Sequence, residues 1–429
     1  MERLTPMRAG ISPDDEDKIN SLAVVLPLAV AGFALAAGSW SLFSVAGAHI
    51  RQALALDGVA FGFLLSLPMA TGALLAIPAG LAAQAFGARR VMMACLAGLA
   101  LCMLILTRVE SLAGFLVAGA GLGLAGGYYS AGLQFVTGHS PRRHIGLVLG
   151  LFGAGITGVG FSYYLVPLIL DAFSWPVVPL AYLIVLLLVL ALLLMLTAEE
   201  DADGDTAPET PFPLILARVS RLRLWQVALW FGVVAGSFLA LALWLPDYLA
   251  SQYQLPVQTG AAFAQWFVIP GALAQVPGGW LADRFGSTRV VSRSLLAGLL
   301  ALFVLSYPPM TLSIEGVHQT LKVEFLMPLM LEGALIVLLG VALGCAMAGL
   351  QRMMVIENRE ATAFVAGVLL VSACSVGFVL PVIFAAVNQW IGVRSAVFMI
   401  LFLSLAASLI LFARTSRRHE RERLLHPGI

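Results

Sequence analysis

Asp283 and Arg284 stand side by side near the end of a long apolar stretch, "GALAQVPGGWLADRFGSTR", which runs from Gly271 to Arg289. An acid-base pair at the mouth of an apolar helix suits a latch, because carboxylate and guanidinium can bond across a gap and release it. Gly279, Gly286 and Arg289 complete the pattern, with glycine where two helix ends approach and a base where the chain leaves. A second copy, "GALLAIPAGLAAQAFGARR" from Gly72 to Arg90, lies 199 residues earlier and agrees at nine of nineteen positions. It keeps Gly80, Gly87, Arg89 and Arg90 but carries Gln84 and Ala85 where the acid-base pair should be, so its latch is expected to be weaker.

Glu332 is the strongest candidate for proton or cation chemistry. It falls seven residues into a predicted span, about 9 Å below the outer end at 1.5 Å per residue. A carboxyl at such depth can carry a coupling proton or hold a cation, whereas one at the rim stays hydrated or pairs locally. Asp247, Tyr248 and Trp244 end another span on the same side. Gln265, Gln275, Tyr128, Tyr129, Trp40 and Ser41 are further polar or aromatic candidates for a substrate cavity. No Lys or Arg falls in the middle of any span, so an anion site with fixed positive charge is not expected. The outer side totals seven acids against four bases and should attract cations.

Other chemistries lack their residues. There is no HxxxH or tight acidic cluster, so no metal site is assigned. Cys95, Cys102, Cys345 and Cys374 form no CxxC, and they are expected to pack as small apolar residues. No GxxxxGK[ST] loop, HExxH or Ser-His-Asp arrangement is present, which argues against ATP use, an enzyme, a cofactor or a nucleic-acid partner.

The elements that must position these residues are membrane helices. The 429 residues are 60% hydrophobic and 11% charged, against about a quarter charged in a soluble chain. The apolar residues come in blocks of about 20, the length that crosses a bilayer. Twelve spans are predicted: 22–45, 59–84, 91–107, 112–137, 145–170, 175–197, 224–250, 259–282, 290–307, 326–350, 361–387 and 393–413. The predicted fold is all-α and integral to the membrane, with twelve transmembrane helices in two pseudo-symmetric six-helix halves, 22–197 and 224–413. A cytoplasmic segment, 1–21, precedes them. Segment 198–223, which contains "TAEEDADGDTAPETPFP" but for its first residue, is an acidic, proline-bearing linker. Residues 414–429 form a basic tail. With both termini on one side, that side holds 20 of the 24 Lys and Arg, leaving Arg51, Arg108, Lys322 and Arg394 opposite. The termini are therefore expected in the cytoplasm.

A second repeat reinforces the first. "GLGLAGGYYSAGLQ" in span 4 and "LLGVALGCAMAGLQ" in span 10 align 217 residues apart, sharing Gly132-Leu133-Gln134 and Gly349-Leu350-Gln351. Arg142 and Arg359 follow at the same distance. Together with "GWLADRFGSTR", the twelve spans and the central linker, this resembles the major facilitator superfamily, whose halves rock around a central site. The chain also resembles that superfamily's nitrate/nitrite porter branch, through "LPMATGALLAIPAG" and "GLVLGLFGAGITGVG". That branch grips its anion with an arginine in each of spans 2 and 8, and the matching positions here are Ala76 and Gln275. The acidic "ISPDDEDKIN" before span 1 and the porter-like core without its arginines resemble the magnetosome-membrane (MamH-type) members.

The resemblance implies a secondary active transporter working by alternating access in a bacterial inner or magnetosome membrane. Its partners would be the lipid bilayer, a small-molecule or ion substrate and other membrane proteins. Iron is the expected substrate. A neutral or cationic metabolite is the alternative within transport, and a non-transporting scaffold or sensor is the alternative outside it.

Overall fold

The computed structural model describes residues 13–46, 50–51, 54–56, 58–197, 219–308, 310–315, 320–325 and 327–425. Among them, eleven helical stretches are long and apolar enough to cross a bilayer. The twelfth, span 8, is divided at Ala274 into Val257–Leu273 and Gln275–Phe285, and neither piece reaches across alone. Pro277 has no N–H, so the Leu273 carbonyl loses its helical donor at the division. Helices dominate because a backbone in hydrocarbon must satisfy its own polar groups.

Two other spans are interrupted. Span 4 is Leu112–Leu122 followed by Leu124–Gly138, with the step at Gly123. Span 5 is Ile145–Gly153 and Thr157–Ala172, joined by a 3₁₀ turn over Ala154–Ile156. Spans 2 (Gly58–Phe86), 7 (Leu222–Gln252), 10 (Leu329–Glu357) and 11 (Thr362–Ile391) are continuous.

The halves meet along two seams, span 2 against span 11 and span 5 against span 8. The seams are copies of each other. Gly150 faces the Gln275 carbonyl, and Gly367 faces the Ala76 carbonyl. These pairs are related by the offsets of 217 and 199 residues found in the sequence repeats. Gly87 and Gly286, also 199 apart, both take φ +89° in the tight links to spans 3 and 9, a conformation that side chains resist.

Several boundaries move. Span 1 starts at Pro13, within the segment expected to precede it, and ends at Trp40; a short helix, Leu42–Val45, follows. Residues 1–12 and the linker up to 218 lie outside the described residues. The basic tail is not separate, because the helix of span 12 runs from Ala396 to Leu425. Between spans 9 and 10 the chain forms an antiparallel hairpin, Met310–Glu315 with Thr320–Phe325, pairing Met310 with Phe325. The sequence reading had no element there. The four cysteines are free, and three of them are buried.

Candidate substrate site and gate

Each half brings to the middle of the seams the positions where its helices are interrupted or small. A cavity of about 50 Å³ lies there, walled by spans 1, 4, 5, 7, 8, 10 and 11. One water needs about 10–15 Å³ by this measure, so the space suits a few waters or one compact solute. Phe33, Trp40, Tyr129 and Phe231 form much of its wall. Phe33 stacks on Phe152 at 5.0 Å and tilts against Tyr129 at 5.4 Å, which fixes that side.

The polar part consists of Tyr129, Gln275 and Gln351, and among the described residues none that is charged lines the cavity. Gln351 donates to the Tyr129 hydroxyl at 2.8 Å, joining spans 10 and 4 across the two halves. Gln275, at the start of the second piece of span 8, donates to the Gly153 carbonyl at 3.0 Å, where span 5 changes to its 3₁₀ turn. Both glutamines are buried. The interrupted helices thus supply a backbone acceptor at the depth where a glutamine can reach it.

Of the candidates read from sequence, Trp40, Tyr129 and Gln275 line the cavity. The others do not. Tyr128 is buried beside span 1 and donates to the Ala29 carbonyl at 3.2 Å. Ser41 donates to Gly38 at 3.0 Å in the break after span 1. Trp244 packs on Phe384 at 5.7 Å, Tyr248 on Phe398 at 5.2 Å, Asp247 is exposed and Gln265 is half-buried.

Glu332 also lies elsewhere. It sits in the first turn of span 10, not seven residues deep, because the helix starts at Leu329. It is buried even so, and Tyr253, just past the end of span 7, donates to its carboxylate. Tyr253 also lies 2.9 Å from the Met327 carbonyl. Burial, then the bond to Glu332 and its charge, push the Tyr253 phenol up, so it stays a donor. Glu332 thus ties the outer ends of spans 7 and 10.

Sequence reasoning missed Gln351 as a site residue, although it closes the repeated Gly-Leu-Gln run. It also missed Phe33 and Met347, which carry no signal outside the assembled fold.

The latch motif forms one end of the bundle, the end rich in arginine. Asp283 accepts from the Gly146 and Leu147 amides at 2.9 and 2.8 Å. Those amides open the first helix of span 5, in the other half, so the carboxylate meets unsatisfied N–H groups and the positive end of a helix dipole. Arg352 of span 10 pairs with the same carboxylate at 2.7 Å and reaches Ser287 at 3.2 Å. The side chains are 8% and 19% exposed, which shields the pair from water. A methyl group at Gly279 would strike the Gly146 carbonyl, and one at Gly80 the Ala363 carbonyl, so glycine is what lets the halves close.

Not every member of the motif works across the gap. Arg284 lies over its own neighbours Trp280 and Phe285, at 5.6 and 5.4 Å, and makes no bond to the other half among the described residues. Arg89 is buried and binds Thr197 at 2.7 Å and the Leu194 carbonyl at 3.1 Å, holding span 3 to span 6 within one half. Arg90 and Arg289 are exposed. In the first copy both polar atoms of Gln84 are buried without a partner. Phe135 stands there where the second copy has Arg352, by the 217-residue offset.

A model of the Major Facilitator Superfamily matches residues 28–381. The chain is 28% identical over 401 residues to a probable nitrate/nitrite antiporter of Thermus thermophilus, covering 90% of each. It is 27% identical over 282 residues to the nitrite extrusion protein of Bacillus subtilis, covering 65% of this chain and 69% of that one. Among solved structures it resembles FucP in the outward conformation, with TM-score 0.72 and 17% identity over 92% of this chain and 99% of that one. The human organic anion transporter MFSD10 gives TM-score 0.68 and 17% identity, over 91% and 99%. At such identities the structures speak for fold alone.

Proposed function

Because this chain belongs to the Major Facilitator Superfamily, we propose that it is a secondary transporter whose halves rock about the cavity holding Tyr129, Gln275 and Gln351. The observation that carries this reading is the sharing of that polar cluster: Tyr129 comes from one half, both glutamines from the other. A solute bound there touches both halves, so its binding energy can bias their relative position. The excess of Lys and Arg puts the basic end in the cytoplasm of a bacterial inner membrane. With Asp283 bonded to the Gly146 and Leu147 amides of the other half, that end is shut, and the solute enters from the opposite side. Release inward requires Asp283 to leave the span 5 amides.

Two relatives are named for nitrate or nitrite, and a cavity of about 50 Å³ would hold an ion of that size, but no Lys or Arg among the described residues stands in its wall to pair with an anion. Iron, put forward by the likeness to magnetosome-membrane proteins, would meet neutral oxygens and the Met347 sulfur. Among the described residues no group of three His, Cys, Asp or Glu could hold a metal ion. Iron therefore loses first place among substrates.

Proteoliposomes containing the purified chain test the proposal, with nitrate, nitrite, methylammonium and iron(II) offered in turn. Saturable flux of one of them is expected, reduced at least tenfold in Gln351→Leu. Absence of flux for all four, with no change in the spacing of the halves on adding any of them, would favour the scaffold or sensor.

A further inference from the structure

The cavity has a polarity that its relatives' names do not suggest. Gln275 spends an N–H on the Gly153 carbonyl, which can only accept, so the orientation of this amide is fixed and its oxygen is left over. Gln351 donates to Tyr129, and its own oxygen is buried without a partner. Each glutamine is 2% exposed. The two oxygens converge on one spot, the face of Gly153 where any other residue would carry Cβ. Buried acceptors turned toward a shared void repel one another and leave their bonding capacity unmet until a donor or positive charge arrives.

The surroundings add to this. Phe33, Trp40, Tyr129 and Phe231 line the void, and aromatic faces attract cations. Against these stand only neutral donors: the Tyr129 O–H that remains after the hydroxyl has accepted from Gln351, and the second N–H of each glutamine amide. Neutral donors with no positive charge lining the void are a poor exchange for the water an anion must shed.

We propose that this void is a site for a compact cation, held by the side-chain oxygens of Gln275 and Gln351 over Gly153, and that it rejects nitrate-like anions. The inference rests on the transporter reading for its purpose but not for its test. Calorimetric titration of the full chain in lipid nanodiscs would use methylammonium, potassium and iron(II) chlorides beside nitrate and nitrite as salts of the bulky N-methylglucamine cation. At least one chloride should bind saturably, with no saturable nitrate or nitrite signal. Gly153→Ala, whose methyl group would strike the Gln275 side-chain oxygen and displace it, should weaken cation binding at least tenfold. Gln275→Leu should do the same, and it guards against the alanine variant simply failing to fold. Gln275→Arg, which swaps an acceptor for charged donors, should abolish cation binding. Saturable nitrate or nitrite binding that Gln275→Leu weakens would overturn the proposal, and so would binding of none of the three cations. Binding without flux would defeat only the transport reading, and anion flux would defeat only this one.

Discussion

Asp283 joins three partners from two other spans, and each bond is charge-assisted. The two amide bonds cross between the halves, and hydrogen bonds to a charged group contribute about 1.5–3 kcal/mol each, which corresponds to about 10- to 100-fold per bond in an equilibrium at about 1.4 kcal/mol per factor of ten. Asp283→Asn should therefore shift the balance away from the closed basic end by about that factor, read as spin-label distances between the halves. Gln84 offers the contrast, because its amide has nothing to lose. Gln84→Leu should leave thermal stability unchanged or raise it, since a buried unsatisfied amide costs about 1–3 kcal/mol. Glu332 was the sequence's best chemical candidate, yet it braces spans 7 and 10 away from the cavity. Glu332→Gln should lower the melting temperature and spare the flux. Flux lost at unchanged stability would restore Glu332 to the transport path. Its sequence position alone could not separate these roles, because three residues of helix start decide whether a carboxyl lies deep or at the rim.

At the scale of elements, the interruptions in spans 4, 5 and 8 matter more than the continuous helices. Pro277 and the 3₁₀ turn at Ala154–Ile156 sit where Gln275 meets the Gly153 carbonyl, so irregular backbone supplies part of the cavity's polarity. Spans 2 and 8 agree at nine of nineteen positions in sequence, but only span 8 is divided and only span 8 has the acid. The first seam can be tested for a missing latch by supplying its parts. The double variant Gln84→Asp with Phe135→Arg should build a second acid-base pair against the start of span 11. It should lower the population open at the basic end, by the same spin-label measurement that reports Asp283→Asn. Such seam asymmetry was legible in the sequence as Gln84 and Ala85. The cross-half partners of Asp283 were not, since Gly146 and Leu147 are backbone donors that any residue type could provide.

At the scale of the molecule, two halves closed at one end predict where covalent tethering will act. A disulfide between cysteines placed at Gln84 and Ala363, the counterparts in the other seam of Asp283 and Gly146, should stop flux if the basic end must open, and reduction should restore it. Flux that persists through the tether would count against rocking halves. The sequence by itself determined the membrane class, twelve spans and the repeat with its Asp-Arg pair in one copy. Each of these rests on local composition or on spacing along the chain, and helices in hydrocarbon satisfy their hydrogen bonds locally. Only the tertiary structure decided which polar residues meet. It brought Tyr129 and Gln351 together from 222 residues apart, left Tyr128 against span 1, and put Glu332 beside Tyr253. One position along a helix rotates a side chain by about 100°, so neighbours such as Tyr128 and Tyr129 look equivalent in sequence and face different surroundings. That rotation acquires meaning only when the opposite half is in place.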